Sequence, residues 1–169
     1  MRAEYMVSQN EELQVMESLR NTLLGAGINS KNTIIVTVST DYSSVVGQYL
    51  RHQLTKDGEI CDGFGIDVPY PDEIWTDEFI QRVHGMFKMF SNDIKNKTIL
   101  LVEAGVIRGN NYTKVIELIK ELKLDEPIAT LTMFENINSK FKSDFVGKYY
   151  NDDEEDLTFW WERYNKHWD

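Results

Sequence analysis

The chain has 169 residues, 41% hydrophobic and 12% aromatic, enough for one well-filled core and short for two, so a single domain over 1–169 is expected. Its 28 acids against 18 bases give a formal net charge of -10, which repels nucleic acid and anionic membranes, and no local basic patch offsets it. One cysteine, Cys61, excludes an internal disulfide framework and a cysteine-built zinc site.

In chain order, the opening MRAEYMVSQNEE lacks an apolar signal core, and the longest apolar runs, such as Ile99 to Val102, fall far below membrane-spanning length. A soluble, reducing, cytoplasmic setting is expected. Glu11 to Leu24 sets Leu13, Met16, Leu19 and Leu23 near one face of a helix that Gly25 to Gly27 stops. TIIVTV, Thr33 to Val38, is a β-branched run suited to a sheet covered on both faces. Ser39 to Ser44 offers cap residues, after which Val45, Val46, Tyr49, Leu50 and Leu54 recur at helical spacing. Gly58 to Val68 reads as a short or irregular strand, and Pro69 and Pro71 break the chain.

From Thr76 to Phe90 an amphipathic helix carries Phe79, Ile80, Val83, Phe87 and Phe90. A strand follows at Thr98 to Val102, then a helix at Tyr112 to Leu122 and a strand at Ile128 to Phe134. This alternation predicts an α/β fold, a mostly parallel sheet with helices on both faces. Ligands of such sheets bind at the carboxyl ends of the strands, near the switch point, which brings Ser39 to Ser44 and Glu103 to Asn111 to one rim.

The stretch TILLVEAGVIRGNNYTKVIELI, Thr98 to Ile119, has an apolar strand, an acid, a turn with glycine and asparagine, and a helix. It resembles the phosphoribosyl-diphosphate loop of type I phosphoribosyltransferases, with Ile99 to Val102 as the apolar residues, Glu103 as the first acid and Gly109 as the turn glycine. EPIATLTMF, SKFKSDFVGKYY and DLTFWWE are similar to the later part of purine and xanthine phosphoribosyltransferases. The resemblance implies a phosphoribosyltransferase-like fold and a small nucleotide or phosphoribosyl ligand, with magnesium where transfer is retained. It places Glu103 at the ribose as the catalytic candidate. Phosphate falls at Arg108, Gly109, Asn110, Asn111, Tyr112 and Thr113, and the first loop at Ser39, Thr40, Asp41 and Tyr42. The base falls near Phe134, Glu135 and Lys140.

The departures fall on the chemistry. Where the family has a second acid, this chain has Ala104, and where a further Asp often precedes the turn it has Ile107. RGNN replaces two hydroxyl donors, and Asp41 stands in a first loop where the family tends to place a base. Arg108, the two asparagine amides and the start of the following helix can still bind an anion. The reading is therefore a nucleotide or phosphorylated-sugar binder in which transfer is in doubt. An active nucleobase phosphoribosyltransferase and a non-catalytic interaction scaffold remain the alternatives, and so does an ordinary strand-to-helix connection for the turn itself.

His52, His84 and His167 lack ligand spacing, and no metal site of the protein's own is expected. Asp152 to Asp156 reads as a solvated loop. The aromatics Phe159, Trp160, Trp161, Tyr164 and Trp168 fit a segment pinned on the core or a homodimer contact.

Overall fold

In the computed structural model, residues 3–38, 42–69, 73–151 and 155–159 are described. Five strands form one all-parallel sheet: β2 (Thr33–Val38), β3 (Gly63–Ile66), β4 (Thr98–Val106), β5 (Ile128–Asn136) and β6 (Phe145–Tyr150), in the order β3-β2-β4-β5-β6. β1 (Ala3–Val7) and β7 (Glu155–Phe159) pair in parallel as a separate two-stranded ribbon. The expected α/β class with a mostly parallel sheet is present. Val36 and Val102 lie on adjacent strands, with Thr37 opposite Val102. Among the described residues no helix is long and apolar enough to cross a membrane.

β2 is buried at all six positions, as its unbroken apolar and β-branched sequence requires of a strand covered on both faces. On one face lie α1 (Gln9–Gly25) and α2 (Tyr42–Gln53), packing Val15, Met16, Leu19, Leu23, Val46 and Leu50 against Ile35, Leu100, Val102 and Leu131. On the other lie α3 (Asp77–Met89) and α5 (Asn110–Glu121), packing Val83, Phe87, Val115 and Leu118 against Ile34, Val36, Ile99 and Leu101. A short helix, α4 (Ser91–Ile94), buries Ile94 in this second core.

Local chemistry sets the ends. Ser8 caps α1 by accepting from the Glu11 amide at 3.2 Å, and Thr76 caps α3 by accepting from Phe79 at 3.4 Å. Gly27, at φ 80°, turns the chain out of α1. Leu13 is a correction: it is 46% exposed, and the buried stripe of α1 runs through Glu12, Val15, Met16, Leu19 and Leu23 instead. The apolar pattern at 13, 16, 19 and 23 is one residue out of phase at its start, and Val15 supplies the missing contact.

Near the carboxyl rim the alternation of β4 and β5 slips at one level. Ala104 and Met133 face the α1–α2 core as expected, but Phe134 joins that same core, and a Cβ at its partner Gly105 would lie 3.7–3.9 Å from Leu157 and Phe159 of β7. Val106 then returns to the α3–α5 core. The slip gives β7 a floor, and Phe134 meets Phe159 edge to face at 5.6 Å. Phe159 thus fits the pinned-segment reading, while Trp160, Trp161, Tyr164 and Trp168 lie outside the described residues.

Candidate functional site

The topology creates the rim. From β2 the chain passes through α2 to β3 on one side, then returns to β4 on the other, so the direction of winding reverses between β2 and β4. The carboxyl ends of these two strands are adjacent at that point. One bond ties α2 to β4: the buried Ser43 hydroxyl accepts from the Ala104 amide at 3.1 Å. Of the first-loop candidates, Ser39, Thr40 and Asp41 lie outside the described residues, and Tyr42 opens α2.

The turn after β4 is organised by Gly109. Its φ of 77° is left-handed, and a Cβ there would lie 2.1 Å from the Cβ of Phe141. Glycine is required both by backbone and by space. α5 begins at Asn110 with no side-chain cap, and the Thr113 amide makes the bond back to the Gly109 carbonyl at 3.1 Å. The amides of residues 110 to 112 precede that first turn of bonds and carry the positive end of the helix dipole.

The candidate phosphate residues separate by orientation. Arg108 and Asn110 are exposed at the rim. Asn111 turns inward: its amide nitrogen lies 3.4 Å from the Pro69 carbonyl and hydrogen-bonds the Glu103 carboxyl. Tyr112 is fully buried, donating from its hydroxyl to the Leu131 carbonyl, so only its backbone amide faces the helix start. The Thr113 hydroxyl donates to the Gly109 carbonyl at 3.1 Å.

Glu103 continues the α3–α5 face after Ile99 and Leu101, which directs it beneath the first turn of α5. Burial pushes its carboxyl up to about 8, and the hydrogen bond from Asn111 only partly opposes this. This favours the protonated form near neutral pH. Burial, aided by the nearby Glu103, also raises the Tyr112 hydroxyl well above its ordinary range.

The three base-pocket candidates are not brought together. Phe134 sits in the α1–α2 core under β7. Glu135 is buried on the opposite side, where it accepts from the Ser143 amide at 2.8 Å, with Lys142 at 3.7 Å. Lys140 is exposed on the connection between β5 and β6.

Two contributors escape a sequence reading. Phe141 packs on Gly109 and lies 5.1 Å from the Tyr112 ring, so the β5–β6 connection is seated directly on the turn. The second is a buried polar chain in which Thr132 lies 3.4 Å from the Tyr112 hydroxyl and 2.7 Å from the Ser143 hydroxyl. The alternation of threonines at 130 and 132 with apolar residues in β5 is the only trace of it in the sequence. One cleft of about 350 Å³ borders the rim at the ends of β2 and β3 between Thr37, Ser44, Asp67 and Arg82, and another of about 440 Å³ lies along the later part of α5 and the start of β5, between Lys120, Leu124, Ile128 and Phe141.

Magnesium, which the resemblance implies where transfer is retained, takes several oxygen ligands, usually including carboxylates. Among the described residues no three His, Cys, Asp or Glu side chains are placed to hold a metal. The rim acid Glu103 is turned under α5 and bonded to Asn111, and Ala104 beside it is buried in the α1–α2 core.

A five-stranded parallel sheet of this order, with its strand–turn–helix at the switch point, has the type I phosphoribosyltransferase fold. Solved structures establish the likeness across nearly the whole chain. A purine phosphoribosyltransferase from Pyrococcus horikoshii superposes with a TM-score of 0.66 at 18% identity, covering 94% of this chain and 93% of its own. The xanthine-guanine-hypoxanthine phosphoribosyltransferase of Helicobacter pylori gives 0.65 at 18%, covering 96% of both. A hypothetical protein from Neisseria gonorrhoeae with bound ppGpp gives 0.64 at 14%, covering 98% of this chain and 96% of its own. No family model and no curated protein matches the sequence.

Proposed function

We propose that this protein binds a nucleotide or a phosphorylated sugar, with a phosphate at the strand–turn–helix 98–119, and that phosphoribosyl transfer is weak or lost. The observation that carries the reading is the start of α5. Gly109 holds a left-handed turn that leaves the helix without a side-chain cap, and Arg108 and Asn110 are exposed beside it. Backbone amides, the helix dipole and a guanidinium together suit an anion. The structural neighbour that carries ppGpp supports a nucleotide as the ligand class. Glu103, bonded to Asn111 with its carboxyl raised by burial, and the apolar Ala104 support the loss of transfer, because positive charge developing on a ribose would lack carboxylate partners. An active nucleobase phosphoribosyltransferase is the second reading, favoured by the full-length match to purine enzymes. A reducing compartment such as the cytoplasm suits the single buried thiol, Cys61.

Calorimetric titration of wild type and Arg108→Ala with a nucleoside 5'-monophosphate tests the site. The variant should bind more weakly by about 1.5–3 kcal/mol, the worth of a hydrogen bond to a charged group. Binding to a monophosphate should also exceed binding to pyrophosphate, because an acid, Asp41, follows β2 in the sequence and would repel the longer anion. Equal affinities of wild type and variant, or binding to neither, would leave the turn as a connection and favour the scaffold reading.

A further inference from the structure

We infer that the cleft at the carboxyl ends of β2 and β3 is a second binding site, and that its ligand is a small neutral lactam, a flat ring presenting N–H and C=O side by side. The site is built from residues outside the strand–turn–helix 98–119, so it stands or falls independently of the phosphate reading.

The floor of the cleft is Thr37, which pairs with Gly65 across β2 and β3 and is only 7% exposed. Two glycines fix the way it points. A Cβ at Gly47 of α2 would lie 2.2 Å from the Thr37 methyl, so the methyl fills the space under that helix. A Cβ at Gly65 would lie 3.0 Å from the hydroxyl, so the hydroxyl opens over the bare backbone of β3 into the cleft. Among the described residues no group hydrogen-bonds it. A buried hydroxyl without a protein partner is an unfavourable arrangement that a polar ligand atom relieves.

The rest of the cleft sets the ligand class. Ile66 and Met86 supply apolar walls, and Asp67 and Arg82 complete the lining. The guanidinium is held in place: Nη1 donates to Asp67 Oδ2 at 3.0 Å, Nη2 donates to Glu78, and Cζ lies 6.0 Å from the Phe79 ring centroid. One guanidinium between two carboxylates is already balanced, and the chain carries a net charge of -10, so the cleft does not favour an anion. What the pair offers is a donor beside an acceptor, the remaining guanidinium N–H groups and the second Asp67 oxygen. The complement of that pair is a C=O beside an N–H on one rigid edge, the cis amide of a lactam. The apolar walls take the ring faces, and the Thr37 hydroxyl, which donates or accepts, takes a further polar atom. A volume of about 350 Å³ is near the lower end for ligand sites and suits a single ring better than a whole nucleotide.

The test is titration of the full chain with uracil, followed by the backbone amide resonances in two-dimensional NMR. The expected result is saturable shifts at Thr37, Gly65 and Asp67, with Gly109 to Thr113 unmoved. 1,3-Dimethyluracil keeps the ring but lacks the N–H, and should bind about fivefold more weakly or not at all. Thr37→Val keeps the branched shape that β2 needs and should weaken uracil by about fivefold, and Gly65→Ala, which crowds the hydroxyl, should weaken it as well. No shift at the three amides up to the solubility of uracil, or shifts confined to Gly109 to Thr113, overturns the site. Equal binding of the dimethyl compound overturns the lactam assignment. Unchanged uracil binding by Thr37→Val, with its amide spectrum otherwise that of the folded wild type, overturns the role of the hydroxyl. Nucleoside monophosphate binding at the turn is read separately in each variant, and its loss or persistence bears on the phosphate site alone.

Discussion

Gly109 joins two demands, a left-handed backbone and the space that Phe141 occupies. Gly109→Ala should therefore lower stability by about 2–4 kcal/mol, combining a backbone cost and an overpacking cost. Urea denaturation of that variant, of Phe141→Ala and of the double variant should show coupling of about 1–2 kcal/mol, as contacting residues do. Strict additivity would mean the two do not press on each other. Glu103 gives a pH signature. Its folded carboxyl sits at about 8 against 4.5 for an ordinary one, so the native state holds a proton that the unfolded chain releases between those values. The contribution to stability is fully present below about 4.5 and is lost progressively as pH rises to about 8. Glu103→Gln removes this dependence, so its Tm should gain on wild type steadily from pH 4.5 to 8 and stay level above. A Tm difference independent of pH would contradict the raised value.

Elements with a signal in their own residues were legible, and those defined only by a distant partner were not. TIIVTV announces β2 because a strand buried on both faces has no polar alternation to obscure it, and Thr76 announces α3 through its cap. β4 runs to Val106, past Glu103 where the apolar run ends, because β5 continues to pair with it at Gly105 and Val106. β6, with the sequence FVGKYY, mixes exposed and half-buried positions, since α1 covers one face of it and the other is partly open. β1 and β7 have no signal of their own: each is five residues long, and each is a strand because the other is there. The ribbon is seated on the sheet by Phe159 against Phe134, and by Lys148, which donates to Glu11 at 2.7 Å and lies over the Tyr5 ring. Phe159→Ala should cost about 2–4 kcal/mol, somewhat under the range for a fully enclosed phenylalanine. Hydrogen exchange should then show β1 and β7 losing protection while β2 and β4 keep theirs. Uniform loss across both sheets would show that the ribbon and the main sheet unfold as one unit.

For the molecule as a whole, the rim was legible because topology fixes it. Strand–helix alternation brings Ser43 beside Ala104 without any motif being needed. What each side chain does there was not legible. Whether Asn111 faces a ligand or Glu103 depends on which side of the sheet position 103 occupies, and the slip near Gly105 puts Phe134 on the same side as Met133. Catalysis is tested at this scale. With common purines or pyrimidines, phosphoribosyl diphosphate and magnesium, product formation should stay well below the roughly 1–1000 per second of ordinary enzymes. Turnover within that range would show that residues other than Ala104 and Ile107 supply the missing charge. The parallel pairing of Ala3–Val7 with Glu155–Phe159 joins segments on the order of 150 residues apart, a loop whose closure entropy is recovered only when the intervening sheet is compact. The ribbon should accordingly form after the rate-limiting step of folding. Substitutions in it, Phe159→Ala among them, should speed unfolding while leaving the folding rate nearly unchanged. The lifetime of the folded protein is then set at its last-made seam, where β7 sits on Gly105 beside the rim.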